Sequence, residues 1–333
     1  MLKYILKRLA GMVVLFFFIS ILVFILIQLP PGDFLTTRIE QMKMEGTPLQ
    51  ESVIQTTMQE YNLDKPMIVQ YFLWMKDILL HGDFGKSFSY DMDVTDVIGS
   101  RLLMTSVLSL LTMVFVWVVA FPVGVIAALK QYSWFDYLFS CLGFIGVSIP
   151  SFMLALVGIY TIFEHTGVLL TGLFSMEFID QPMSWAKLQD LLRHIWLPIL
   201  IIGIHGTASS IRVIRGQMLD EMGKQYITAA KARGVCGAGL LFRYPIRVAV
   251  NPMVSTVGWM LPNIVSGESI VAVVLNLQTL GPVLLKALQT QDMYLAGSIL
   301  LMTSILSLVG TLLSDILLAA LDPRIRIGGG TAR

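Results

Sequence analysis

Residues 219–234 read LDEMGKQYITAAKARG, a polar stretch of helix-forming residues between two long hydrophobic runs. Leu219, Met222, Tyr226, Ala229 and Ala230 recur at steps of three and four, which puts them on one face of a helix. Gly234 is a stop signal, because glycine takes the left-handed conformation that ends helices, and Lys231 and Arg233 set positive charge beside the C-terminal dipole. The Ala229–Ala230 pair leaves this face shallow enough for another protein to approach the backbone. An ordinary amphipathic helix lying on a membrane would carry the same pattern. What the segment does therefore depends on the chain around it.

That chain has 333 residues, 56% hydrophobic and only 14% charged, with a mean hydropathy of +0.76. It is too apolar for a soluble domain of its size and is predicted to be an integral membrane protein. Residues 10–29 form an apolar run long enough to cross the hydrocarbon core, preceded by Lys3, Lys7 and Arg8. No small-residue cleavage site follows, so the run reads as an uncleaved first span. Five more spans are predicted at about 102–129, 137–163, 195–211, 253–265 with a broken continuation to 275, and 295–321. Six spans place both termini on one side.

With that side inside, the inner segments hold Lys3, Lys7, Arg8, Lys130, Arg212, Arg215, Lys224, Lys231, Arg233, Arg243, Arg247, Arg324, Arg326 and Arg333. The Lys/Arg excess marks these segments, residues 219–234 among them, as cytoplasmic. Cys141 falls in the third span and Cys236 in the cytoplasmic loop, so a bridge between them is not expected. His81, His165, His194 and His205 show no metal-binding spacing. Gly85-Lys86-Ser87 lacks the earlier glycine of a phosphate-binding loop, since residue 80 is leucine, and no nucleotide site is expected there.

QYITAAKARGV, residues 225–235, resembles the cytoplasmic loop of ABC importer permeases in which E-A-A-x-x-x-G forms the helix that docks into an ATPase subunit. Thr228 stands in the glutamate position, followed by Ala229, Ala230 and Gly234. Further landmarks resemble the dipeptide/oligopeptide branch of binding-protein-dependent permeases. They are Pro31-Gly32-Asp33, Tyr61-Asn62-Leu63-Asp64-Lys65-Pro66, Gly82-Asp83-Phe84-Gly85-Lys86-Ser87, Arg101 with Thr105 and Leu108, Ser148-Ile149-Pro150-Ser151-Phe152, and Asp315 followed by Asp322-Pro323-Arg324. The chain departs from the pattern after the fifth span, where Ala272 replaces a glutamate and Leu275 a phenylalanine.

The expected fold is all-α integral membrane. It has six transmembrane helices, a small mostly helical external insertion after the first span, and a cytoplasmic coupling helix between spans four and five. The expected division is 1–29 (cytoplasmic N-terminus and first span), 30–100 (external cap), 101–327 (permease core, with a coupling loop at 216–251) and 328–333 (disordered tail). The resemblance implies that Tyr226, Ile227, Thr228, Ala229, Ala230, Lys231, Arg233 and Gly234 meet the ATPase. Pro150 removes a backbone donor at membrane depth, which is tolerated beside protein or a watery cavity. Ser148, Pro150 and Ser151 are therefore placed near the translocation path, with a purely structural kink as the alternative. Asp315 lies within the last span, where a lone carboxylate is costly, and is expected to pair with Arg212 or Arg215.

The implied function is a non-catalytic permease subunit of an ATP-driven importer, forming half of the pathway for a small hydrophilic oligomer, foremost a di- or oligopeptide. An oligosaccharide is the alternative cargo. Implied partners are a second homologous permease, two cytoplasmic ABC ATPases that bind the ATP and magnesium, an extracytoplasmic solute-binding protein and membrane lipid, with no nucleic acid. No cofactor is expected in this chain. Its expected location is the bacterial or archaeal cytoplasmic membrane, multi-pass, with both termini cytoplasmic. An ion-coupled secondary transporter would carry mid-span charges and repeated halves, and an intramembrane enzyme would need a paired nucleophile and base; the sequence offers neither.

Overall fold

The computed structural model describes residues 2–29, 65–179, 181–266 and 269–321. They form an all-α membrane protein. In chain order the helices are α1 (Leu2–Gln28), α2 (Met67–His81), α3 (Val94–Leu129), α4 (Trp134–Ser148), α5 (Ser151–Thr166), α6 (Trp185–Met222), α7 (Gln225–Ala232), α8 (Gly237–Arg243), α9 (Pro245–Ser266), α10 (Ser269–Val274), α11 (Leu280–Gln289) and α12 (Met293–Leu321). Between α2 and α3 lies a two-stranded antiparallel hairpin, β1 (Lys86–Ser87) and β2 (Met92–Asp93).

Four helices are long and apolar enough to cross a membrane: α1 from Tyr4, α3, α6 and α12. The pair α4 and α5 gives a fifth if it counts as one span. The 38 residues of α6 extend roughly 57 Å at ~1.5 Å per residue, nearly twice the ~30 Å hydrocarbon core, so its ends overhang. Helix α9 has 22 residues and packs against α6.

The third predicted span is corrected. It is not one helix over 137–163 but two, bent by 99° at Ile149-Pro150. Ile149 is extended at φ −87°, ψ 125°, as a residue before proline is driven to be, and the carbonyl of Pro150 starts α5 by accepting from Met153 N at 3.0 Å. By contrast α3 runs through Pro122 without a break.

Two compact units divide the chain. One comprises residues 1–9, 105–278 and 307–333, the other 10–104 and 279–306. In the first, α6 is the centre, packed by α4, α5 and α9. Its core joins Ala120, Val125 and Ala128 of α3, Ile211, Ile214 and Met218 of α6, and Ile246, Ala249 and Met253 of α9. Ser314 of α12 donates to the Val254 carbonyl of α9 at 2.9 Å.

In the second unit, Val23 and Phe24 of α1, Tyr71, Trp74 and Met75 of α2, and Leu301 of α12 form the core. Helix α2 falls within residues 30–100, the stretch expected to be mostly helical. The remainder of the expected cap up to residue 64, with the 31–33 and 61–64 landmarks, and the tail 328–333 lie outside the described residues.

Candidate functional site

The C-terminal end of α6 and the segment after it carry the quoted stretch. The single amphipathic helix expected there is corrected: α6 stops at Met222, Gly223 and Lys224 form a turn, and α7 begins at Gln225. The break changes which residues share a face. Ile227 (1% exposed) and Ala230 (4%) turn inward against Leu240 of α8, while Gln225, Thr228, Ala229 and Ala232 form an outward stripe. Ala229 and Ala230 therefore face apart. Gly234 does take the left-handed conformation, at φ +83°, and its N–H closes on the Lys231 carbonyl at 2.9 Å.

The turn is held by a group the sequence reading missed. Glu221, 2% exposed at the end of α6, accepts hydrogen bonds from the Lys224 ammonium and the Tyr226 hydroxyl. A buried carboxylate needs such donors, and here they come from the turn and from the first turn of α7. Burial, and then the neighbouring Glu221 carboxylate, push the Tyr226 phenol up to about 12. The pattern E-x-x-K-x-Y at 221–226 was the signal available.

The expected pairing of Asp315 with Arg212 or Arg215 is also corrected. Asp315 pairs with Arg8, 3.2 Å from Nε to Oδ2. Arg215 donates Nε to Oδ1 of Asp136 at 2.7 Å and Nη2 to Oδ2 at 2.8 Å. Asp136 sits in the first turn of α4, where its N–H also caps onto Ser133 Oγ at 3.3 Å and its carboxylate receives Tyr132 N at 3.0 Å. Fixed there, it is the nearer acid to Arg215. Arg212 instead lies over the Phe144 ring, 5.7 Å from its centroid.

At the other end of α4, Ser148 and Pro150 are exposed and Ser151 half-buried at the bend. Ser148 Oγ donates back to the Phe144 carbonyl at 2.7 Å. One face of α4, with Tyr137, Ser140, Cys141, Phe144, Ile145, Ser148 and Ile149, lines an open groove of about 510 Å³ that ends at this bend. Ala272 and Leu275, the departures from the family pattern, are 4% and 1% exposed. Both side chains are packed inside the chain.

A family model described as the binding-protein-dependent transport system inner membrane component matches residues 120–327. A second, for the N-terminal part of such membrane components, matches residues 1–110. The oligopeptide transport system permease protein AppB of Bacillus subtilis is 28% identical, over 98% of this chain and 99% of its own length. The glutathione transport system permease protein GsiC of Escherichia coli is 29% identical over the same shares. A provisionally named peptide transport system permease protein of Brucella abortus is 30% identical over 97% of this chain and 98% of its own length.

Proposed function

The chain belongs to the family of inner membrane components of binding-protein-dependent transport systems, and we propose that it forms half of the translocation pathway for di- or oligopeptides in an ATP-driven importer. The observation that carries the mechanism is α7: a short helix with a small-residue outer stripe, clamped by Glu221 and seated on Leu240.

Such a helix serves as a rigid foothold. An ATPase that grips Thr228, Ala229 and Ala232 moves α7 as a body, because Ile227 and Ala230 key it to α8 and the Glu221 clamp keys it to α6. Motion reaches α4 through Arg215 and Asp136, and so the bend at Ser148–Ser151. Nucleotide binding energy in the partner thereby biases two arrangements of the pathway. Tyr226, Lys231, Arg233 and Gly234 border the same contact.

Six spans complete the topology, with the bent pair as the third, α9 as the fifth and both termini cytoplasmic; residues 30–100 form the external cap. The partners are a solute-binding protein, two ABC ATPases that hold ATP and magnesium, a second homologous permease and the surrounding lipid. The three relatives are named for peptides or glutathione, which favours peptide over the oligosaccharide alternative. The test is uptake of a labelled dipeptide by vesicles holding the assembled importer. ATP-dependent uptake that stops with Ala229→Arg supports the proposal; uptake without any ATPase partner overturns it.

A further inference from the structure

Arg212 is the member of its pair with no carboxylate within ion-pair distance among the described residues, since Asp136 is taken by Arg215 and Asp315 by Arg8. Its exposed side chain rests on Phe144, itself 59% exposed. Position along the helices gives the direction in which it reaches. Arg212 lies three residues, ~4.5 Å, before Arg215 on α6, whereas Phe144 lies eight residues, ~12 Å, beyond Asp136 on α4. The guanidinium thus reaches away from the Asp136 end of α4 and along the groove toward Ser148.

That groove also carries the side chains of Tyr137 and Ser140. The wall is otherwise mainly apolar, and a guanidinium beside such a wall with no carboxylate of its own is costly unless an anion meets it. The ring lies 5.7 Å from the guanidinium carbon, and a guanidinium's fork of N–H donors takes a carboxylate through two parallel hydrogen bonds. We propose that Arg212, held over Phe144, receives the carboxylate of a translocated peptide in the α4 groove. This rests on the peptide-import reading and adds the group in this chain that recognises the cargo's charge.

The experiment compares uptake of one dipeptide, with free or amidated C-terminus, by the complete importer in vesicles, each form first shown to bind the solute-binding protein. Wild type, Arg212→Gln and Arg212→Lys are assayed. The expected result is a roughly tenfold loss for the free-carboxylate peptide in Arg212→Gln, little change for the amide, and partial recovery in Arg212→Lys. Equal losses for both peptides overturn the proposal: with failed assembly they mark the face as a contact to the second permease, and with intact assembly as a coupling element. A defect that follows the anionic phospholipid content of the vesicles and not the peptide terminus assigns Arg212 to a lipid headgroup, and also overturns it. Should wild type import neither peptide, the peptide reading itself fails and this inference falls with it.

Discussion

Arg215 grips Asp136 with two parallel hydrogen bonds, 2.7 Å and 2.8 Å long, tying α6 to the first turn of α4. The two ends are unequal, with side-chain exposures of 26% for Arg215 and 4% for Asp136. Removing the arginine strands a buried carboxylate, whereas removing the carboxylate leaves an arginine that can reach water. Arg215→Gln is therefore expected to cost about 3 kcal/mol, at the low end of the range for broken buried pairs, and Asp136→Asn clearly less. The double variant should recover part of the loss. Thermal unfolding of the purified subunit in detergent measures all three; equal losses for the two single variants would show that burial does not set the cost.

Ala229 and Ala230 are neighbours in sequence with opposite surroundings, and they separate docking from folding. Ala229→Glu adds a charge to an exposed stripe and should leave unfolding within about 0.5 kcal/mol of wild type while uptake falls at least tenfold. Ala230, 4% exposed against Ile227 and Leu240, has no room for a charge, so Ala230→Glu should lower both stability and uptake. Identical behaviour of the two variants would remove the outward stripe as a docking surface.

Hydropathy and spacing made the long spans and the quoted segment legible, because a 3.6-residue period and a bilayer-length apolar run are properties of contiguous sequence. Gly234 was readable for the same local reason. The partners of charged residues were not. Asp315 and Asp136 were both available to Arg215, and only the placement of α4 against α6 decides between them. Carrying one period through Gly223 sets Ala229 and Ala230 on a single approachable face, whereas the turn there resets the phase so that Ala230 packs inward with Ile227 and Ala229 stays outward. Pro150 and Pro122 look alike in sequence, yet only the first breaks its helix. Ala272 and Leu275 drew attention as departures from a family pattern, but being buried they bear on packing.

In the second unit, Asp292 is fully buried at the start of α12 and accepts from Ser87 Oγ at 2.7 Å, Ser89 N at 2.9 Å and Leu295 N at 3.2 Å. One carboxylate thus caps a helix and pins the β1–β2 hairpin. Hydrogen bonds to a charged group are worth about 1.5–3 kcal/mol each and caps about 1 kcal/mol. Asp292→Ala is expected to destabilise by at least about 2 kcal/mol and to expose the hairpin to protease, with Asp292→Asn milder because it keeps an acceptor. Unchanged proteolysis at residues 83–93 in Asp292→Ala would refute the pinning role.

Gly124 and Gly216 test how closely the helices of the first unit approach. A Cβ on Gly124 would lie 2.9 Å from the Ile214 side chain and 3.1 Å from the Ile211 carbonyl oxygen, while one on Gly216 meets nothing within 4 Å. Helix propensity alone favours alanine over glycine by about 0.8–1.0 kcal/mol at either site. At Gly124 that gain is opposed by overpacking of about 1–3 kcal/mol, and the backbone oxygen of α6 cannot yield without moving the helix. Gly216→Ala should therefore raise the unfolding temperature, Gly124→Ala should lower it, and Gly124→Val should lower it further and reduce uptake. If Gly124→Ala stabilises the subunit as Gly216→Ala does, α3 and α6 are not in contact at that level, and the core built around Ala120, Ile214 and Met218 is wrongly placed.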